Sequence, residues 1–167
     1  EHDDMESVVI RGVSIERSQA RVTITGIPDE PGMSARILGC LGDAETNIDM
    51  IVSNIAHDGL ARHSFTMHSN DLGRAQAALK PLVASLGENA SVETEGGIAK
   101  LSCVGIGMRS HSGVAAQMFK ALGEAKINIG MITTSEIKIA VTVDETQIED
   151  AARVVHEAFN LDKAPQK

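Results

Sequence analysis

The chain has 167 residues, enough for one ordinary domain or two small ones sharing a core. Hydrophobic residues make up 43% and charged residues 23%, which excludes a disordered or fibrous chain, and no apolar run reaches the roughly 18–20 residues of a membrane span. A formal charge of −8, with three Phe and neither Tyr nor Trp, leaves no basic patch or stacking platform for nucleic acid.

In chain order, Glu1-His2-Asp3-Asp4 reads as a linker cut from something longer, with Met5 as an alternative internal start. Val8–Val13 forms an orphan strand. Arg21-Val22-Thr23-Ile24-Thr25 alternates polar and apolar residues, the mark of a half-buried strand. Pro28-Asp29-Glu30-Pro31-Gly32 breaks it, and Pro31 suits the first turn of a helix, where its missing N–H goes unused. Met33, Ile37, Leu38, Leu41 and Ala44 recur at helical spacing, and Asn47 ends that helix. Ile48–Ile55 is a second strand, His57-Asp58-Gly59 a turn, and Arg62–His68 a third strand with Phe65 and Met67 on one face. A helix over Asp71–Leu86 follows, capped by Asn70 and stopped by Gly87, and Ser91–Glu95 supplies a fourth strand.

The same unit then recurs. Gly32–Ile51 and Gly113–Ile132 share nine identities in twenty residues at a constant offset of 81: Gly32, Ala35, Leu41, Gly42, Ala44, Asn47, Ile48, Met50 and Ile51 each meet their like. The second copy reads Lys100–Gly105 (strand), Gly113–Lys126 (helix), Asn128–Thr134 (strand), Ile137–Val143 (strand) and Thr146–Phe159 (helix). Leu161–Lys167, with Pro165 inside it, is too short to close the sheet. The orphan strand at the start supplies the missing member. The fold class is therefore α+β: two ferredoxin-like βαββαβ units, the first (20–97) inserted into the second (7–19 plus 98–161), with 1–6 and 162–167 as linker or tail. Units of this size have marginal cores alone, which favours burying them together.

Few residues here carry chemistry. Asp29-Glu30-Pro31-Gly32-Met33-Ser34-Ala35 lies where a strand meets a helix. Free N–H groups there, with the helix dipole, suit a carboxylate, and Asp29 suits an ammonium. A plain helix cap is the competing reading. Met108-Arg109-Ser110-His111-Ser112-Gly113 occupies the same place in the second copy, but no nucleophile–base set accompanies His111, so it reads as a loop histidine. His2, His57, His63, His68 and His156 lack ligand spacing, so no metal site is expected. Gly105-Ile106-Gly107 is a turn, not a phosphate loop. Cys40 and Cys103, far apart and without CxxC spacing, read as reduced, buried thiols of a cytoplasmic protein. The residues alone describe a two-unit binding module for a small zwitterion, with no catalytic machinery.

Four motifs in this order are specific: Ile27-Pro28-Asp29-Glu30-Pro31-Gly32, Asn47-Ile48-Asp49-Met50-Ile51, Met108-Arg109-Ser110-His111 and Thr133-Thr134-Ser135-Glu136-Ile137-Lys138. Together they resemble the C-terminal regulatory part of bacterial aspartate kinases, a pair of ACT domains, over about Val8 to Leu161. The resemblance implies feedback inhibition of an ATP-dependent kinase of L-aspartate, at the head of lysine, threonine and methionine synthesis, by threonine and/or lysine. It implies a homodimer in which the first ACT domain of one chain packs on the second of another, with effectors between them. By position, one effector site takes Asp29, Glu30, Pro31, Gly32, Met33 and Ser34 with Asn47, Ile48, Asp49 and Ser53, joined by Asn128 and Ile129. A related site takes Val114, Ala115, Ser135 and Glu136. The chain has Ser53 where the family usually has Gln, and Ser112 where it commonly has Pro. No cofactor belongs to this chain; ATP and Mg belong to the kinase portion, in cis or as a separate subunit. Competing readings are an effector-free dimerisation module, an ACT sensor of another amino-acid enzyme, and a small acyl-phosphate hydrolase, which needs an Asn near Arg109 that the sequence lacks.

Overall fold

The computed structural model describes residues 9–55, 58–106 and 111–159. The expected linkers at 1–6 and 162–167, the tip of the His57 turn, and the Met108-Arg109-Ser110 segment lie outside these residues. The chain divides into two compact units, Ser18–Gly97 and Glu1–Arg17 with Ile98–Lys167.

Two long strands contribute to both units. Strand β1 is Val9–Pro28 and strand β4 is Ser91–Ile106. Each replaces a pair of shorter strands expected from the sequence: Val8–Val13 and Arg21–Thr25 become β1, and Ser91–Glu95 and Lys100–Gly105 become β4. The strand assignment continues through residues 14–20 and through Gly96-Gly97, between the shorter strands expected. Ser18 (φ 59°) and Gly97 (φ 68°) take left-handed conformations within the strands instead of ending them.

In the unit 18–97, β1 leads to helix α1 (Met33–Asp43), strands β2 (Ile48–Ile55) and β3 (Leu60–His68), a 3-10 turn (Ser69–Asp71), helix α2 (Leu72–Ser85) and β4. The strand order is β2-β3-β1-β4. Both β1–β3 and β2–β3 are antiparallel, with Val22 and Ile51 each opposite Phe65. Val22 and Ile24 alternate on the inner face of β1, Phe65 and Met67 on that of β3, and Ile37, Leu41, Leu79 and Val83 close over them from the two helices. Phe65, Ile24, Ile37, Leu41 and Leu79 are fully buried, each stabilising by about 1.5–3 kcal/mol. Where β1 slips register between Ile24 and Ile27, Gly26 (φ 71°) passes so close to the chain that a Cβ would lie 2.1 Å from the Asn89 carbonyl oxygen. No other residue fits there.

Helix boundaries differ from the expected ones for local reasons. Pro31 does not enter α1: Glu30 donates to the Pro28 carbonyl and Met33 to that of Glu30, a turn that delays the helix to Met33. The helix ends at Asp43, four residues before Asn47, because Glu45 turns left-handed (φ 57°) and Thr46 donates through N–H and hydroxyl to the Leu41 carbonyl. Asn70 caps nothing; His68 Nδ1 accepts its N–H at 3.1 Å and starts the 3-10 turn ahead of α2.

The second unit holds helix α3 (His111–Glu124), strand β5 (Ile132–Thr134), strand β6 (Lys138–Asp144), a 3-10 turn (Glu145–Gln147) and helix α4 (Ile148–Ala158). Its strand order is β1-β4-β6-β5. Ala99, Leu101, Cys103, Met118, Leu122, Ile139, Val141, Ile148 and Val155 form its core. The strand expected over Asn128–Thr134 is only Ile132–Thr134. Gly130 N–H donates to the Thr142 carbonyl, and Met131 N–H to the Thr142 hydroxyl at 2.7 Å, which turns that stretch away from a regular ladder. The buried Met50 N–H finds the hydroxyl of Thr66 at 2.9 Å in the other unit in the same way.

Candidate functional site

Of the residues expected to bind a ligand, Asp29 through Ser34 lie at the start of α1. Gly32 occupies the N-cap position with φ 93°, has open space beside it, and leaves the helix without a side-chain cap. Arg36 N–H is already satisfied by the Gly32 carbonyl, but the amides of Ser34 and Ala35 have no acceptor within the helix. The first turn itself carries no acidic residue. Asp29 and Glu30 stand exposed just ahead, with Asp29 held by its N–H to the Gly59 carbonyl at 3.0 Å. The geometry can take an anion at the amides and a cation at the upstream carboxylates.

One participant was missed. His63 lies on β3 opposite Ser53 and Ile24, and its Nε2 is 3.3 Å from the Ser34 hydroxyl. Its ring meets Phe65 edge-on at 6.2 Å between centroids, and Nδ1 is buried with no hydrogen-bond partner. Register therefore brings Ser53 beside His63, and His63 beside the helix start. Nothing in the sequence flagged it, because Ser34 lies 29 residues away and a single histidine in a strand carries no spacing signal.

Asn47, Ile48 and Asp49 follow the α1 exit, at the other end of that helix. Asn47 and Asp49 are exposed, while Ile48 packs against the core. Arg74, on α2, holds this connection: Nε donates to the Ala44 carbonyl at 3.2 Å and Nη2 to that of Glu45 at 3.1 Å. The same guanidinium pairs with Asp71 Oδ1 at 2.6 Å, and Asp71 Oδ2 accepts the Asn47 N–H at 3.3 Å.

In the second unit, Val114 is buried and Ala115 half-buried on the inner side of α3, where both pack into the core. Ser135 and Glu136 are exposed in the turn between β5 and β6, with Ser135 N–H donating to the Lys138 carbonyl at 2.7 Å. Asn128 is exposed, and Ile129 packs on the core.

Both thiols are free; Cys103 is buried, but Cys40 is only half-buried and directs Sγ to the Ala78 carbonyl at 3.1 Å. Burial pushes the Cys103 thiol up to about 11, and burial with the Asp43 charge raises that of Cys40. Both shifts disfavour the reactive thiolate. Among the described residues no group of three His, Cys, Asp or Glu is placed to hold a metal, and no helix is long and apolar enough to cross a membrane.

Residues 20–86 and 101–159 each match a family model described as ACT domain, so the class of the molecule is a tandem ACT-domain chain. The aspartokinase of Pseudomonas aeruginosa is 46% identical over 162 residues, covering 97% of this chain and 39% of that protein. Among solved structures, that of aspartokinase alpha and beta subunits superposes with a TM-score of 0.82 at 43% identity, covering 90% of this chain and 99% of the other. The ligand-free regulatory subunit of aspartate kinase from Thermus thermophilus gives 0.83 at 34% identity, with coverage of 90% and 99%. The chain belongs to the family of tandem ACT regulatory regions and beta subunits of bacterial aspartate kinases. It spans about two-fifths of the length of the curated relatives it matches.

Proposed function

We propose that this regulatory region senses threonine and/or lysine and transmits feedback inhibition to an aspartate kinase portion, in cis or as a separate subunit, where ATP and Mg bind. The uncapped start of α1 is the observation that carries this reading. The amides of Ser34 and Ala35 receive the effector's carboxylate, Asp29 its ammonium, and Ser53 with Ser34 its side chain. Glu30, Pro31, Gly32 and Met33 shape the rim; Asn47, Ile48 and Asp49, past the far end of α1, reach an effector at this start only when a second copy supplies them. Asn128 and Ile129, offered by a second copy of the chain, complete it. Val114, Ala115, Ser135 and Glu136 form the related second site. Insertion of the 20–97 domain into the other explains why β1 and β4 each serve both units.

A homodimer through the ACT domains follows, in which effector binding favours one packing of the two copies. Coupling of this kind is typically about 1–3 kcal/mol. A specific observation also favours an effector-free dimerisation module: the outermost strands carry exposed isoleucines, Ile51 and Ile55 on β2 and Ile132 on β5, with Ile137 close by. Calorimetric titration with threonine and lysine, singly and together, separates the two. A sensor gives saturable heat and a rise in melting temperature, both lost in Asp29→Ala; a dimerisation module gives neither, and Asp29→Ala leaves its self-association unchanged.

A further inference from the structure

The clamp of Asp71 and Arg74 lies outside the residues assigned above to the effector site, yet it fixes the backbone that carries three of them. Three hydrogen bonds reach the segment between α1 and β2, two from the guanidinium to the Ala44 and Glu45 carbonyls and one from the Asn47 N–H to Asp71, and a fourth joins the guanidinium to Asp71. The chemistry is apt at both ends. A guanidinium suits the negative end of a helix, and its fork reaches two acceptors while a third N–H holds the carboxylate. Glu45, whose carbonyl accepts from the guanidinium, is left-handed at φ 57°. Asp71 is mostly shielded, with 15% of its side chain exposed, so its orientation is set by the clamp rather than by solvent.

Among the described residues the second unit shows no such device. Matching His68 and Leu72 to Asp144 and Ile148, which begin the corresponding turn and helix, puts Gln147 where Asp71 stands and Asp150 where Arg74 stands. Asp150 instead accepts from Arg153 along its own helix at 3.1 Å. The exit of α3 repeats the backbone turn, with Lys126 left-handed at φ 62°, but no side chain of α4 is recorded reaching the carbonyls there among the described residues.

We infer that Asp71 and Arg74 are positioning residues for the first effector site: they hold Asn47, Ile48 and Asp49 in the geometry the effector meets, and so set the affinity of that site and not of the second. The inference rests on the sensor reading proposed above. A site gains affinity when its contacting residues are held in place by neighbours that do not touch the ligand.

The test is calorimetric titration of the full chain with threonine and with lysine, alongside thermal melts without ligand. The variants are Arg74→Ala, Arg74→Lys, Asp71→Asn and, as a control, Val83→Ala, which loosens the same core away from the clamp. Arg74→Ala is expected to weaken the first site's Kd by about tenfold, the low end of what loss of a second-layer partner costs a bound metal. Arg74→Lys recovers part of that loss, because a single ammonium replaces the fork. Asp71→Asn keeps an acceptor for the Asn47 N–H but loses the ion pair, and falls between wild type and Arg74→Ala. Val83→Ala lowers the melting temperature and leaves Kd unchanged. A melting temperature that falls in the clamp variants while Kd stays at the wild-type value overturns the inference and leaves the sensor reading intact. Wild-type chain that binds neither amino acid overturns the sensor reading, and the inference with it.

Discussion

The two copies of the repeated unit share their helix exits and diverge at their hairpins. Glu45 and Lys126, 81 residues apart, both turn left-handed, and each donates to the carbonyl of an aligned glycine, Gly42 or Gly123, at 2.9 Å. The buried hydroxyls of Thr66 and Thr142 each accept the N–H of an aligned methionine. But the first pair of threonine and methionine is 16 residues apart and the second 11. The five-residue difference falls in the hairpin: β2 is eight residues long, β5 three. What was kept is what satisfies buried backbone groups. What changed is the exposed strand, where length carries little energetic penalty. The two copies therefore differ in the hairpin and its neighbours, not in the shared core.

The equivalence of the cores gives the largest expected effects. Leu41 and Leu122 are both fully buried at the same position of α1 and α3. Leu41→Ala and Leu122→Ala should each lower unfolding free energy by about 2–5 kcal/mol in urea titrations. A loss in either below about 1 kcal/mol would break the claim that the two cores are built alike. Next come Thr66→Val and Thr142→Val. Each strands a buried methionine N–H, at about 1–3 kcal/mol, and a substitution without effect at one of them would show that the hydroxyl is not its needed partner.

The smallest effect sharpens the contrast between the two helix-leading turns. Asp144 accepts from the Thr146 hydroxyl at 2.6 Å and the Thr146 N–H at 2.9 Å; those bonds lower its pKa, the hydroxyl most. A carboxyl whose folded pKa lies below its unfolded value of about 3.9 stabilises the fold above that value and loses the contribution as pH falls through the folded pKa. Wild type should therefore be more stable than Asp144→Ala at neutral pH, and the two melting curves should converge in acid. A gap that persists at low pH would mean that Asp144 acts by packing and not by accepting these bonds.

Much of this arrangement is legible in the residues. The offset of 81 locates both copies, and the period-2 and i+4 patterns place Val22, Phe65, Ile37 and Leu41 facing the core. The long strands are not legible, because the polar run around Ser18 and the glycines at 96–97 look like loop, whereas cross-strand partners such as Glu16 with Lys100 at 3.4 Å and Thr25 with Ser91 at 2.8 Å carry the pairing onward. Helix starts are misjudged where the cap lies outside the usual set, as with His68 in place of Asn70. For the proposed site, Asp29 through Ser34 and Asn47 through Asp49 are expected from motifs in the sequence. The contacts of His63 with Ser34 and of Arg74 with the Ala44 carbonyl are not legible there, since each partner is brought close only by strand register or helix packing.

The isoleucines along β2 have a further consequence for handling the protein. A strand at the edge of its sheet, carrying Ile51 at 49% and Ile55 at 74% exposure, is a template onto which other extended chains can add. The net charge of −8 opposes such stacking by mutual repulsion. High salt screens that repulsion, so concentrated stocks will keep best in dilute buffer well above the acid range, where the carboxylates stay ionised.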